Sequence, residues 1–245
     1  MATTTHFRNG VSNALVGETL YTMGQLDPRK YITFFNDFLT MGDYGGVTTN
    51  SSWTITVTQA GAGSAAAVLI DGEGGLLEIT NDAADDDAVW AQTVAEPFRW
   101  AASKDMFFVA RFKVSDATQS DVIFGLQIGD TTPLDATDGI YFVKLDGSTT
   151  MTLKVRKNST DTDVGTTTLA NDTYVVVGFT YTANDGTFRM FVNDAVTALT
   201  TTTTNAPDDE DLAISFGVQN GEAVAKVLTV DYIFAAQARS ANPAV

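Results

Sequence analysis

From Trp53 onward the chain repeats one device: a short run rich in Val, Ile, Phe, Tyr and Thr, closed by a cluster of Gly, Asn or Asp. The runs recur at roughly the 8–12-residue spacing of sandwiches and barrels. Met106–Ser115 is the clearest. Met106, Phe108, Ala110, Phe112 and Val114 share one face by the period-2 rule, while Arg111 and Lys113 take the other, so this is a strand with one buried side. Long runs of strong helix formers are scarce, and 15 Phe and 7 Tyr suit a half-buried pleated surface.

A second strong run, Thr173–Tyr181, places Val175, Val177, Phe179 and Tyr181 on one face. It is followed by Asn184-Asp185-Gly186 and then Phe188–Asn193, the pattern of a hairpin. Further strands are expected at Trp53–Thr58, Ala67–Ile70, Leu76–Thr80, Val89–Val94, Val122–Ile128, Ile140–Leu145, Thr150–Arg156, Leu212–Val218 and Val227–Phe234. About a dozen antiparallel strands without helices between them bury their apolar faces by packing as two sheets. At 245 residues, 44% hydrophobic and 18% charged, the chain has the material for one large sandwich core. The expected fold is therefore all-β, an antiparallel jelly-roll β-sandwich over residues 35–245. No internal repeat is found, and the Thr200–Thr204 run is expected at a hairpin end.

Residues 1–34 read differently. Gly10, Gly17 and Gly24 separate the hydrophobes Phe7, Val11, Leu15, Val16, Leu20 and Tyr21, and no periodicity is sustained. Such a segment builds no core of its own, so it is expected to be an extended N-terminal arm that docks on something. Charge divides the same way. Residues 1–35 hold three bases and two acids, whereas the remainder holds eleven bases and twenty-eight acids, within a net charge of −16. An acidic body repels nucleic acid and anionic membranes. With no cysteine there are no disulfides or thiolate metal sites. Met1–Thr5 lacks the charged-then-apolar run of a secretory signal, and no stretch reaches the roughly 18 apolar residues of a membrane span, so folding inside a cell is expected.

The segment Thr173-Tyr-Val-Val-Val-Gly-Phe-Thr-Tyr181, with Asp185-Gly186 and Phe188-Arg-Met-Phe-Val-Asn-Asp194, resembles the strand pair of concanavalin-A-like and laminin-G-like jelly rolls, with Asp194-Ala195 where a Gly usually closes the motif. The resemblance implies the fold and says little about activity. The Thr3–Val11 opening, Phe34-Phe-Asn-Asp-Phe38 leading into a sandwich, and a small acidic cysteine-free body also resemble structural proteins of tailed bacteriophages. That resemblance implies a capsid decoration, or cement, protein on the virion surface.

The chemistry-bearing residues are few. Glucanases on this fold carry Glu-x-Asp-x-x-Glu, with acid and nucleophile about 5–5.5 Å apart; that spacing is absent, and Glu73 and Glu78 flank a Gly74-Gly75 turn. His6, the one histidine, lies in the arm. Asp82, Asp85, Asp86 and Asp87 form an acidic cluster that could offer oxygens to calcium, although it lacks the EF-hand pattern; Asp208/Asp209/Glu210/Asp211 reads as a solvated loop. Asn50-Ser51-Ser52, Asn158-Ser159-Thr160 and Asn171-Asp172-Thr173 read as turns. Trp53, Trp90 and Trp100 are expected in the core.

The sequence thus points to a protein that binds or builds rather than catalyses, with no required cofactor. The leading expectation is a virion structural protein at the capsid surface, homo-oligomeric on the particle. It would meet a major capsid or other virion protein through Phe7, Arg8, Leu20, Tyr21, Arg29 and Lys30. The alternative is a lectin-like module that holds host glycans.

Overall fold

A computed structural model of the chain describes residues 30–39, 52–60, 63 and 65–240. Among them run fifteen strands: β1 (Tyr31–Asn36), β2 (Trp53–Thr58), β3 (Ala66–Ile70), β4 (Leu76–Thr80), β5 (Ala88–Thr93), β6 (Met106–Val114), β7 (Ser120–Gln127), β8 (Gly139–Lys144), β9 (Thr150–Lys157), β10 (Thr160–Thr168), β11 (Val175–Thr182), β12 (Thr187–Val192), β13 (Ala195–Thr200), β14 (Ala213–Asn220) and β15 (Val227–Ala238). One turn of 3-10 helix, Pro133–Asp135, lies between β7 and β8. No helix of the described residues is long and apolar enough to cross a membrane.

The strands form two antiparallel sheets. The eight-stranded sheet runs β13-β12-β11-β6-β15-β4-β3, with β1 also paired to β15; the seven-stranded sheet runs β10-β9-β8-β7-β14-β5-β2. At twelve residues β15 is long enough to pair β4 along its first part and β1 along its second. A bulge at Asp231 separates the two stretches, and the Asp231 carboxylate pairs with Arg111 of β6.

Alternation decides what lies between the sheets. Phe108, Ala110 and Phe112 of β6 face Phe124 of β7 and Phe216 of β14, all essentially buried. Rings from both sheets meet there: Phe112 stacks on Phe124 at 4.1 Å, and Phe124 on Phe216 at 5.8 Å. The expected hairpin forms β11 and β12, and Phe108 stacks on Phe179 at 5.7 Å. Where the family motif ends in Gly, Asn193 and Asp194 both take positive φ, 48° and 66°, and close the β12–β13 turn themselves. Asn158 and Ser159 do the same between β9 and β10, as the turn reading expects.

Three strands were not expected from the sequence: β1, β10 and β13. The boundary drawn at residue 34 falls inside β1, where Tyr31 is buried and Phe34 packs edge-on against Trp53 at 5.6 Å. The Thr200–Thr204 run is not a hairpin end; it opens the crossover from β13 in one sheet to β14 in the other.

Candidate functional site

The seven-stranded sheet turns an unusual face outward. Its register sets side chains in rows across the strands. One row runs Asp161 (β10), Arg156 (β9), Gly139 (β8), Gln127 (β7) and Ala213 (β14). The next runs Asp163, Lys154, Tyr141, Gly125, Ser215 and Gln92 of β5. A third carries Val143, Ile123, Gly217 and Trp90. All point away from the core because their chain neighbours Val155, Phe142, Phe124 and Phe216 point into it.

The middle of this face is apolar. Ala88, Trp90, Ile123, Tyr141 and Val143 form a second hydrophobic cluster with Leu134 packed against it. Two glycines make room for the rings. A Cβ on Gly217 would meet the Val89 carbonyl oxygen at 2.2 Å and Trp90 Cε3 at 2.7 Å; one on Gly125 would meet Tyr141 Cβ at 2.5 Å. The core expectation holds for Trp53, which packs on Phe216, and for Trp100, beside Tyr181 and Phe188. Trp90 is buried too, but on the outer side of the sheet.

Loop 128–138 roofs part of the face. The Gln92 side-chain amide donates to the Ile128 carbonyl at 3.1 Å and to Ser215 Oγ at 2.6 Å, and its Oε1 accepts from the Asp130 amide at 2.9 Å. Gln127 Nε2 donates to the Pro133 carbonyl at 2.9 Å, and Asp138 Oδ1 accepts from the Asn158 amide at 3.0 Å. Two outward glutamines thus pin the loop that carries Leu134 onto the cluster.

Beyond the roof the face becomes polar. Arg156 Nη1 reaches the Tyr141 hydroxyl at 3.5 Å and Asp161 Oδ1 at 3.4 Å; Lys154 bonds Asp161 and lies 3.8 Å from Asp163. Burial raises the Tyr141 phenol against the pull of Arg156, so its hydroxyl stays protonated at neutral pH. Two buried atoms of a single row, Gln127 Oε1 and Arg156 Nε, have no hydrogen-bond partner, and Asp161 Oδ1 has only the ion pair with Arg156. The row opens toward the β10 edge, since Gln127 is fully buried whereas the Arg156 and Asp161 side chains are 18% and 28% exposed. Acceptors and a donor beside an aromatic hydroxyl can take up hydroxyl groups, which both donate and accept.

At the other end of the face Asp121 is nearly buried and accepts from the Asp146 amide at 2.8 Å. Burial pushes its carboxyl up to about 6, against the Asp146 amide and the Lys144 ammonium. Lys144 is itself fully buried, with its ammonium donating to the Thr118 and Ser120 carbonyls, and burial lowers it to about 8.

The acids singled out for calcium do not gather. Asp87 is buried as a loop clamp, its carboxylate accepting from the Ala60 amide at 2.7 Å and the Ala84 amide at 3.3 Å. Asp86 accepts from Gln219, while Asp82 offers its backbone carbonyl to Asn220 and Asp85 is exposed. Among the described residues no group of three or more His, Cys, Asp or Glu could hold a metal ion. Asp208, Asp209 and Asp211 face Lys157 and Arg99 across the surface. Of the arm contacts, Phe7, Arg8, Leu20, Tyr21 and Arg29 lie outside the described residues; Lys30 is exposed at the foot of β1, its carbonyl accepting from the Arg239 amide.

The arrangement of sheets has solved counterparts. The carbohydrate recognition domain of Emp47p matches with a TM-score of 0.59 at 13% identity, covering 85% of this chain and 97% of that one. Peanut lectin matches at 0.56 and 11%, covering 85% and 97%, and a Bacillus licheniformis β-glucanase at 0.56 and 11%, covering 83% and 97%. The fold is that of the concanavalin-A-like lectins and glucanases. No protein-family model and no curated protein matches the chain. Binding proteins and enzymes share this architecture, so the fold alone does not choose between them.

The sequence reading missed Gln127, Tyr141, Arg156 and Asp161. Alternation places Tyr141 and Arg156 opposite the apolar positions of their own strands, but pairing them needs the β8–β9 register, and Asp161 lies on a strand that was not expected.

Proposed function

We propose that the chain is a non-catalytic binding module that takes a carbohydrate on the outer face of its seven-stranded sheet, at the β7–β10 end. The observation that carries the reading is the pair Gln127 Oε1 and Arg156 Nε, buried and without hydrogen-bond partners in the row that ends at Asp161, beside the Tyr141 hydroxyl. Buried polar groups are ordinarily satisfied, and two in one row that opens at its edge are accounted for by a polyhydroxylated ligand. The acids at this end of the face, Asp161 in this row and Asp163 in the next, are engaged by Lys154 and Arg156, which suits holding a sugar rather than protonating one.

A glycan array tests this. The expected result is retention of a defined set of oligosaccharides, unaffected by a chelator, without release of new reducing ends. Binding should fall about tenfold or more in Arg156→Ala, the loss expected for one charged hydrogen bond. Turnover of the bound sugar, or binding equal in Arg156→Ala, would overturn the reading.

A further inference from the structure

The outer face of the eight-stranded sheet carries an apolar band across six strands. In one row stand Val196 (β13), Phe191 (β12), Gly178 (β11), Val109 (β6), Phe234 (β15) and Phe35 (β1). Phe107 lies 5.5 Å from Phe234, and Phe35 lies 6.4 Å from it on the other side. The ends are the most open: Phe35 is 61% exposed, Val196 53% and Leu199 59%. At the foot of β1 the band runs into a buried cluster of Tyr31, Ala236 and Ala238, against which Phe107 and Phe234 pack. A contiguous apolar strip of this extent marks an interaction surface.

We propose that this band is covered by residues 1–29 of the same polypeptide, with Phe7, Val11, Leu15, Val16, Leu20 and Tyr21 supplying the apolar contacts. The place where that segment ends is the first argument. It joins the sheet at Lys30, and the next residue, Tyr31, already belongs to the cluster on this face. Length is the second. Six strands about 4.8 Å apart span roughly 25 Å, which about eight extended residues cross, and 29 precede Lys30. Charge is the third. The sheet presents Lys113 outward beside Arg111 and Arg189, which pair with Asp231 and Asp185, so Lys113 is the cation that Glu18 or Asp27 of the segment can approach. A second copy stacked face to face would bring together two chains of net charge −16, whereas a tethered segment of nearly balanced charge binds without that repulsion and at high effective concentration.

The test uses the full chain with a photoreactive benzoylphenylalanine in place of Leu199, at the far end of the band from Lys30. Irradiation of a dilute mixture of isotopically heavy and light protein should give cross-links to peptides within residues 1–29, joining heavy to heavy and light to light. Leu20→Asp combined with Tyr21→Asp should lower their yield severalfold while the far-ultraviolet circular dichroism stays unchanged. Heavy-to-light cross-links would assign the band to a second copy, and photoproducts without residues 1–29 would leave it open to solvent; either result overturns the proposal. Neither touches the sugar-binding reading, whose residues lie on the other sheet.

Discussion

Single residues of the seven-stranded sheet and its loops divide between holding the fold and meeting a ligand. Asp87 holds the fold: its buried carboxylate accepts two backbone amides from separate loop segments. Asp87→Ala leaves those amides without that acceptor and should destabilise the protein by about 1–3 kcal/mol in chemical denaturation. Asp121 works the other way. Its carboxyl is raised to about 6, above the ordinary 3.8, so its contribution to stability is complete below pH 3.8 and is lost as pH rises through 6. Asp121→Asn should therefore match the parent near pH 3.5 and exceed it by about 2–3 kcal/mol above pH 7, because each tenfold change in a group's acidity on folding is worth about 1.4 kcal/mol. A difference independent of pH would contradict that account. Gln127 and Arg156 do neither task fully, since each leaves an atom without a hydrogen-bond partner.

At the scale of elements, the strands with strict alternation were the legible ones. β6 places Phe108 in the core and Arg111 outside, where its guanidinium pairs with Asp231 and lies 4.1 Å over the Tyr174 ring. Phe108→Asp should abolish folding, because it leaves an unpaired charge among stacked rings, while Arg111→Ala should cost about 1 kcal/mol by thermal melting. Equal tolerance at both positions would contradict the register. The strands that escaped notice lie at edges. β10, Thr-Asp-Thr-Asp-Val-Gly-Thr-Thr-Thr, has almost no apolar positions to alternate, and β13 closes the other sheet with largely exposed residues. With β10 unseen, Asp161 could not be placed beside Arg156, and the polar row was not legible. Trp90 misleads for a related reason: it is buried as expected, but by neighbours on the outside of its sheet. The Phe34–Phe38 motif that suggested a virion component has its own account in the fold, because Phe34 packs on Trp53 and Phe38 on Phe216.

For the molecule as a whole, pairing of β1 with β15 moves the edge of the sandwich to Tyr31. A chain cut after residue 34 loses two-thirds of β1, including the Phe34–Trp53 contact, and should melt well below one cut after residue 29. Equal melting temperatures would restore the boundary at 34. The two sheets turn different surfaces outward: one an apolar band, the other an aromatic floor with a polar row at its open end. Ligand binding at that row is the central claim, and a nuclear magnetic resonance titration reads it directly. On adding an oligosaccharide retained on the array, the Arg156 Nε–H signal and the backbone amides of β7–β10 should shift together and saturably, while those of β11–β13 stay in place. Saturable shifts confined to the eight-stranded sheet, with Arg156 unmoved, would contradict the account.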